Sequence, residues 1–277
     1  MDRWLPWVDR AEGEPMPAWV KPDKPLTADD LKWAMRDHFE GTPYDMTQDV
    51  GAGPFGVPYR WRPMEFEVDS VKYVHERAIA TQQTGWSFVA QVRGDVPADR
   101  RGLLWFGTDD ANTCVYLPVF CSVTEVPSQL GPGDINTFDR NSNFWMNSLV
   151  ANQAYNRYSQ MIPDIRRVQG GLEKAIGEAV DASQAEIASL PYPEAQARLR
   201  EVTLSWTDKA TKDYRALGEY LLVKFLDGNI KKQNEDGSFK RSETGMPVQP
   251  EFGGYNERYF RSIVEDAGER LRVPEIK

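Results

Sequence analysis

The chain has 277 residues and a formal net charge of −9 at neutral pH. This charge argues against nucleic acid as a partner, because phosphate neutralisation needs clustered Lys and Arg. The length is enough to bury a sizeable core and allows one or two domains. No apolar run approaches the roughly 20 residues that a membrane span requires, and the first residues lack a signal-peptide pattern.

Cysteine and histidine are both rare, which limits the chemistry that the chain offers. Cys114 and Cys121 flank a predicted strand, whose extended length of roughly 20 Å is beyond the reach of a disulfide. We predict two buried structural thiols. His38 and His75 are too few for a zinc site without several carboxylates. We therefore predict no metal and no cofactor.

Residues 1–26 are rich in Trp and Pro and are predicted to form an extended arm across a surface. Thr27 then begins a helix, because its hydroxyl can cap the helix and acidic residues follow in the first turn. His38 shares an apolar face of this helix, and Gly41 stops it. A lone histidine on such a face is more often structural than a catalytic base.

The stretch from His38 to Arg62 is rich in Gly and Pro, interleaved with charged and aromatic residues. Such a composition fixes polar side chains on a shaped loop, as a binding surface requires. A well-ordered loop without a ligand has the same pattern, so both interpretations stay open. Asp45 ends the first turn of the loop, where we expect its carboxylate to bond to nearby backbone amides.

Strands are predicted from about residue 72 to 121. In the pair formed by 75–80 and 86–93, Trp86 and Phe88 alternate with more polar residues, which places the aromatic side chains on a buried face. Two later apolar runs, at 103–106 and 115–120, predict strands covered on both faces. Short connections between the strands indicate an antiparallel meander.

Arginines and carboxylates in this strand region are candidates for chemistry. Arg77 and Arg93 can each bind a carboxylate in bidentate fashion, and internal ion pairs are an equally good interpretation. The consecutive Asp109 and Asp110 cannot flank one bond in a regular strand, so we interpret them as turn residues. A glycosidase would need Asp109 and a second carboxylate about 5–10 Å apart in one cleft.

The second half of the chain is predicted to be helical. A stripe of apolar residues marks each helix as packed on a core, and the last helix is expected to bury Phe260, Ile263, Val264 and Ala267. The polar stretch 229–254 is expected to be a mobile loop or a surface arm. The predicted helices cover 144–161, 165–190, 193–227 and 257–271.

A set of motifs in one order resembles the dipeptidases of peptidase family C69. The first is His38-Phe-Glu-Gly-Thr-Pro-Tyr-Asp45, followed by Gly-Pro-Phe-Gly-x-Pro-Tyr-Arg-Trp at 53–61. The later motifs are Arg77-Ala-Ile-Ala, Gln91-Val-Arg93, Leu104-Trp-Phe-Gly with Asp110-Ala111, Val115-Tyr-Leu-Pro118, Asn143-Phe-Trp-Met-Asn147 with Asn152, Gly254-Tyr255 and Ile263-Val-Glu-Asp-Ala-Gly268. The likeness therefore covers most of the chain.

This resemblance implies an α+β fold in which an antiparallel sheet meander with packed helices forms part of an α-β-β-α sandwich of the N-terminal-nucleophile hydrolase type. The attacking cysteine of that family heads the mature chain, and no such residue stands here. We expect a single domain over 1–277, the C-terminal portion of a dipeptidase, with an arm (1–26), a loop and strand region (27–122) and a mainly helical region (144–272). One sheet face should then be uncovered, so the chain should associate with its missing half or with itself.

The function implied is hydrolysis of dipeptides through an N-terminal cysteine supplied from upstream, so the chain alone should be inactive and holds no catalytic residue. Its residues would shape the substrate pocket, with His38 and Asp45 positioning the neighbouring loop. The substrate-binding candidates are Arg77, Gln83, Thr84, Arg93 and, more weakly, Asn147. The alternative is a non-catalytic module that binds peptides or sugars through the Trp-rich arm and the 51–62 loop, with stacking by Trp4, Trp7 and Trp61. The compartment is left open.

Overall fold

A three-stranded antiparallel sheet and the long helices on one of its faces form the centre of the computed structural model, which describes residues 4, 6–7, 12–59, 65–74, 77–131 and 133–275. The strands are β3 (Trp86–Val92), β4 (Gly102–Thr108) and β5 (Leu117–Phe120), in the order β3-β4-β5. A separate hairpin precedes them and consists of β1 (Glu65–Val68) and β2 (Val71–Val74). The α+β fold class and the antiparallel arrangement of the strands are thus confirmed. The predicted pairing of 75–80 with 86–93 is wrong for residues 77–80, which form no strand, and the partner of β3 is β4.

Three helices cover one face of this sheet and form the core with it. They are α2 (Asn143–Ala154), α3 (Tyr158–Ile187) and α4 (Tyr192–Lys224). Val89, Trp105 and Pro118 are paired across the three strands, and the side chains of this row are buried. The core residues of the helices follow at helical spacing, as in the α3 series Ile165, Leu172, Ile176, Val180 and Ile187.

The other face of the sheet is largely uncovered, which corrects the prediction that the aromatic residues of β3 are buried. Trp86, Phe88 and Val92 are 60%, 45% and 79% exposed, and Trp86 stacks on Phe88 and Phe106 at centroid distances of 5.9 and 6.1 Å. Ser87 on the opposite face is buried instead. Alternation tells which residues share a face but not which face the helices cover.

The polar residues on the covered face of β3 are satisfied by hydrogen bonds. The Ser87 hydroxyl lies 2.9 Å from the Tyr116 hydroxyl, and Trp105 Nε1 donates to Gln91 Oε1 at 2.9 Å. A buried polar group with a partner costs little, which explains how this more polar side of the strand can face the helices.

The first described helix, α1 (Ala28–Ala34), begins as predicted and ends earlier than expected. Thr27 and Asp30 form a capping box. The helix ends at Ala34, with Met35 as its C-cap, so His38 lies beyond the helix and not on its face. Arg36 follows the helix end and ties this segment to the core, because its guanidinium contacts the Glu173 carboxylate at 2.5 Å.

Several predicted boundaries in the helical half change. The helix predicted to reach residue 161 ends at Ala154, and α3 begins at Tyr158. Arg157 at this break donates to the carbonyls of Phe225 and Gly228 at 3.0 and 2.9 Å. Helix α4 continues through Trp206 without a break. Among the described residues, no helix is both long enough and apolar enough to cross a membrane.

The last helix, α5 (Glu257–Ala267), is amphipathic but has no buried residue, contrary to the prediction. Phe260 and Val264 are 49% and 63% exposed. The helix lies against the 50–55 turn, where Asn256 Nδ2 donates to the Gly53 and Pro54 carbonyls at 3.1 and 3.0 Å. The preceding stretch is not an irregular loop. Short strands β6 (Asn229–Ile230) and β7 (Glu251–Phe252) pair across it, and two tight turns lie between them.

The two cysteines differ in environment. Cys114 is buried, as predicted, whereas Cys121 is exposed, and both are free thiols. Cys121 follows β5 directly, where its backbone N–H donates to the Gly102 carbonyl at 3.0 Å. The prediction that both thiols are buried is therefore wrong for Cys121.

Replacing a tryptophan by alanine should lower stability more on the covered face of the sheet than on the uncovered face. Trp105→Ala removes a buried ring and should lower the free energy of unfolding by about 3–5 kcal/mol. Trp86→Ala removes a mainly exposed ring and should cost less than about 1 kcal/mol. Urea denaturation followed by circular dichroism measures both. Equal losses would contradict the one-sided burial of the sheet.

Candidate functional site

The Gly- and Pro-rich loop is fixed to the turn that follows β4 through the buried Tyr59. The Tyr59 hydroxyl donates to the Asp110 carboxylate, and Asn112 Nδ2 donates to the same hydroxyl at 2.8 Å. Asp110 also accepts from the Asn112 backbone N–H at 3.1 Å. Two segments far apart in sequence therefore share one buried polar network.

Helix α3 supplies a positive charge to this network. Arg166 donates to the Asn112 carbonyl at 2.6 Å and to its side-chain oxygen. Burial raises the pKa of the Asp110 carboxyl, while the Tyr59 hydroxyl, the Asn112 N–H and the nearby His38 and Arg166 act in the opposite direction. The network thus holds a fully buried carboxyl group beneath the loop.

His38 and Asp45 both lie inside the loop that they were predicted to position. His38 is fully buried, with Nδ1 3.0 Å from Glu40 Oε1 and its ring edge-on to Tyr59 at 5.3 Å. The Asp45 carboxylate accepts from the backbone N–H groups of Gly41 and Thr47 at 3.0 and 2.9 Å. These contacts close the turn at the start of the loop.

Asp109 lies at the end of β4, in a left-handed backbone conformation with φ of 67°. Its carboxyl group is buried and accepts one hydrogen bond, from Ser148 Oγ at 2.8 Å. Its second oxygen, Oδ2, is buried with no partner among the described residues. Burial raises the pKa of Asp109 from 3.8 to about 7; the Ser148 hydroxyl lowers it, and the neighbouring Asp110 raises it further.

Asn147 lies beside Asp109, on the first turns of α2. Its Nδ2 donates to Thr108 Oγ1 and to Asn143 Oδ1, both at 2.9 Å. Asn143 in turn donates to Thr211 of α4 at 3.0 Å. The side-chain oxygen of Asn147, Oδ1, is buried without a partner in the described part of the chain. Asp109 and Asn147 thus place two unpaired acceptors at one end of the sheet.

Gln83 and Thr84 belong to the loop that leads into β3 at this same end. The Asp109 N–H donates to the carbonyl of Gly85, the residue after Thr84, at 2.8 Å. Gln83 is exposed and Thr84 half-buried, so both side chains are accessible from outside. The structure therefore brings Gln83, Thr84 and Asn147 to one region.

The two candidate arginines lie apart from each other. Arg77 is exposed and borders a recess of about 10 Å³ beside Tyr59. Arg93 follows β3 at its opposite end, on the order of 20 Å from Trp86 along the strand. It is buried and donates to the Arg100 carbonyl at 2.9 Å. The structure does not bring Arg93 together with the other candidates.

A cavity of about 270 Å³ adjoins the polar end of the sheet. Thr108, which bonds to both Asn143 and Asn147, lines it together with residues of the 129–135 loop and Trp145. Its volume approaches the lower limit of small-ligand pockets, about 300 Å³. Asn147 is fully buried and does not line this cavity, so it adjoins the space only through Thr108.

Sequence reasoning missed the residues that organise this site. Asp109 and Asp110 were interpreted as turn residues, and they do form a turn, but both are buried. Their partners Tyr59 and Ser148 are far away in the chain, so no local pattern reveals the contact. The signal that was available is two consecutive acidic residues directly after a continuously apolar strand.

The structure describes only part of the alternative binding module, because Trp61 lies outside the described residues. His75 of the predicted strand pair lies outside them as well. Trp4 is buried, whereas Trp19 is 92% exposed.

Within the described part of the chain, no three His, Cys, Asp or Glu side chains come together as a possible metal site.

Comparison with known proteins identifies the family. The model of peptidase family C69 matches residues 3–171, which is more than half of the chain. The chain belongs to peptidase family C69. This confirms the resemblance seen in the motifs, and the match includes the loop, the sheet and the polar cluster at its end.

Two characterised relatives are dipeptidases. The chain is 30% identical to Dipeptidase A of Lactobacillus helveticus over 154 residues, which cover 54% of this chain and 26% of that protein. It is 24% identical to a dipeptidase of Bifidobacterium longum (strain NCC 2705) over 184 residues, 64% of this chain and 31% of that protein. The matched region is thus less than a third of either relative.

The raised pKa of Asp109 should make the chain less stable as the pH rises. The folded state holds the proton more tightly than the unfolded state, so the stabilisation is complete below about pH 4 and is lost as the pH rises through about 7. The loss should amount to at most about 4 kcal/mol. Asp109→Asn should remove this component and be more stable than the native chain at pH 8.

Urea denaturation at several pH values between 5 and 8.5 measures this dependence. Asp266→Asn, an exposed change on α5, is the matched control and should keep the native pH dependence. An unchanged pH dependence in Asp109→Asn would show that Asp109 does not bind the proton.

Proposed function

We propose that this chain is part of a C69 dipeptidase, in which it forms the walls of the substrate pocket. The cysteine that attacks the peptide bond would belong to a segment outside these 277 residues. The observation that carries the proposal is the uncovered aromatic face of the sheet, which ends at the polar cluster around Asp109 and Asn147.

The exposed apolar area of the uncovered face favours packing of a further protein segment against it. Trp86, Phe88 and Val92 expose apolar area beside one another, and soluble proteins rarely leave large contiguous apolar patches in water. Covering such area is favourable by about 25 cal/mol per Å². Among the described residues no strand pairs with the outer edge of β3, so the sheet can also be extended there.

The length of the relatives favours a further segment of the same protein as the occupant of this face. The matched 154 residues are 26% of Dipeptidase A, so a dipeptidase of this family contains much more polypeptide than this region. We propose that a further C69 segment, bearing the cysteine at its N-terminus, packs on the face formed by Trp86, Phe88 and Val92. Self-association of the chain through this face is the competing outcome.

The chemistry would be that of a cysteine peptidase. The N-terminal thiolate attacks the peptide carbonyl and forms an acyl-enzyme, and the amine product leaves. Water then hydrolyses the acyl-enzyme, and the chain's own amino group can act as the base. The family resemblance implies this sequence of steps.

Neither cysteine of this chain is suited to that role. Burial raises the pKa of the Cys114 thiol far above its usual range, which suppresses the reactive thiolate. Cys121 is exposed but lies by Gly102, the residue paired with Val92. It is therefore at the end of the sheet opposite to Asp109. This supports a nucleophile from another segment.

Within the pocket we assign binding roles to the residues at the polar end of the sheet. Gln83 and Thr84 offer accessible polar side chains, and the buried Asn147 would act through Thr108, which lines the 270 Å³ cavity. The exposed guanidinium of Arg77 is a candidate for the substrate carboxylate. His38 and Asp45 hold the adjoining loop. We leave Arg93 out of the pocket, because its contacts close the 93–101 turn.

The proposal predicts that dipeptide hydrolysis needs both parts. The chain as given should show no hydrolysis, and activity should appear when it is produced with its upstream coding sequence. In the active form Arg77→Ala should lower kcat/KM by about tenfold or more, as expected for loss of a hydrogen-bonded charge pair. Arg270→Ala, on the exposed turn after α5, is the control.

Two results would overturn the proposal. One is dipeptide hydrolysis by the chain alone, and the other is no hydrolysis by the form that includes the upstream sequence. No hydrolysis in either form, with a change in Trp fluorescence on adding peptides or sugars, would favour the binding module instead. Sedimentation of the chain alone measures self-association. If the chain forms a dimer that Trp86→Lys dissociates, the uncovered face is the dimer interface. If that dimer also persists in the form with the upstream sequence, the further segment is not the occupant of this face.

A further inference from the structure

The stretch between β6 and β7 folds into a small meander of three extended pieces. The Lys240 N–H donates to the Lys232 carbonyl at 2.9 Å, and the Ser242 N–H donates to the Met246 carbonyl at 2.8 Å. Gly237 and Gly245 occupy the two turns with φ of 84° and 80°, a conformation that glycine adopts without strain. The three pieces therefore lie side by side.

The meander is attached to the C-terminal end of α4. The Phe239 ring stacks on Tyr220 at a centroid distance of 5.9 Å, and the Tyr220 hydroxyl donates to Gln233 Oε1 at 3.0 Å. The Lys231 N–H donates to the Lys224 carbonyl at 2.9 Å. These contacts give the side chains of the meander defined positions relative to the helix.

A cavity of about 180 Å³ lies between the meander and Val223 of α4. Its residues divide into an apolar group and a basic group, with no acidic residue among them. The apolar group is Val223, Phe239, Pro247 and Val248, and the basic group is Lys231, Lys232, Lys240 and Arg241. Four cationic side chains therefore border one cavity.

Most of this positive charge has no carboxylate partner. Lys231 Nζ donates to the Val223 carbonyl at 2.6 Å, and Arg241 donates to the Gly245 carbonyl at 2.9 Å. Lys232 lies 3.5 Å from Glu251. The Lys240 ammonium has neither a hydrogen bond nor an ion pair within the described part of the chain. An anion in the cavity would reduce the repulsion among these groups.

We propose that this cavity binds a small organic anion, with a carboxylate or phosphate held by Arg241 and an apolar body against Phe239 and Pro247, which share one face of the meander. Lys240 adds positive charge from the neighbouring position. Arg presents paired N–H donors to an oxyanion, and Lys adds a mobile positive charge. The volume is below the range of about 300–1,000 Å³ typical of drug-sized ligands, so the ligand is small. The site shares no residue with the proposed peptide pocket and does not depend on that function.

Titration of the ¹⁵N-labelled chain with phenyl phosphate and with benzoate tests this site by NMR. Saturable shifts should occur at the amides of Lys232, Lys240, Arg241 and Val248 and should weaken as salt is added. Benzyl alcohol, which lacks the charge, and inorganic phosphate, which lacks the apolar body, should each bind more weakly. The stronger of the two aromatic anions identifies the preferred charged group.

Arg241→Gln should weaken binding by about tenfold, which corresponds to the loss of one charge-assisted hydrogen bond. Lys240→Gln, which removes only a nearby charge, should weaken binding less. Lys174→Gln, an exposed lysine on α3, is the matched control and should leave the affinity unchanged. Circular dichroism verifies that each variant is folded. Absence of saturable shifts with both anions, equal binding of benzyl alcohol, or unchanged affinity in both variants would overturn the proposal.

Discussion

One-sided burial of the β3–β4–β5 sheet is the constraint on which the rest of this structure depends. Helices α2, α3 and α4 cover the face that contains Val89 and Trp105, and the core lies there. The opposite face presents stacked aromatic rings to solvent. Because the loops around Asp109 and Gln83 extend from one end of this sheet, its position fixes the candidate site at the edge of the uncovered face.

Buried polar groups give this end of the sheet its chemical character. The network of Tyr59, Asp110, Asn112 and Arg166 is well bonded and secures the loop. Beside it, Asp109 keeps one buried oxygen without a partner. Unpaired buried acceptors are uncommon in folded proteins and call for an explanation. Burial of this carboxyl group also raises its pKa to about 7, because the charged form loses its solvation.

The sequence predicted features that local chemistry decides and missed those that depend on distant contacts. The Thr27 cap, the antiparallel strands and the core stripes of α3 and α4 were predicted correctly, because each needs only neighbouring residues. The stripe of α5 was predicted to be buried and is not. The buried face of β3 was wrong, since alternation is symmetric between the two faces. Burial of Asp109 depends on Ser148, which lies far along the chain. Family resemblance, carried by motifs spread over the chain, supplied what periodicity could not.

The most direct test of this account is the accessibility of the uncovered face in two forms of the protein. Hydroxyl-radical labelling with mass spectrometry measures the reactivity of Trp86 and Phe88. We expect both to react readily in the 277-residue chain and to be protected in a form that includes the proposed further C69 segment, while the buried Trp105 stays protected in both. Equal reactivity of Trp86 in the two forms would contradict the account.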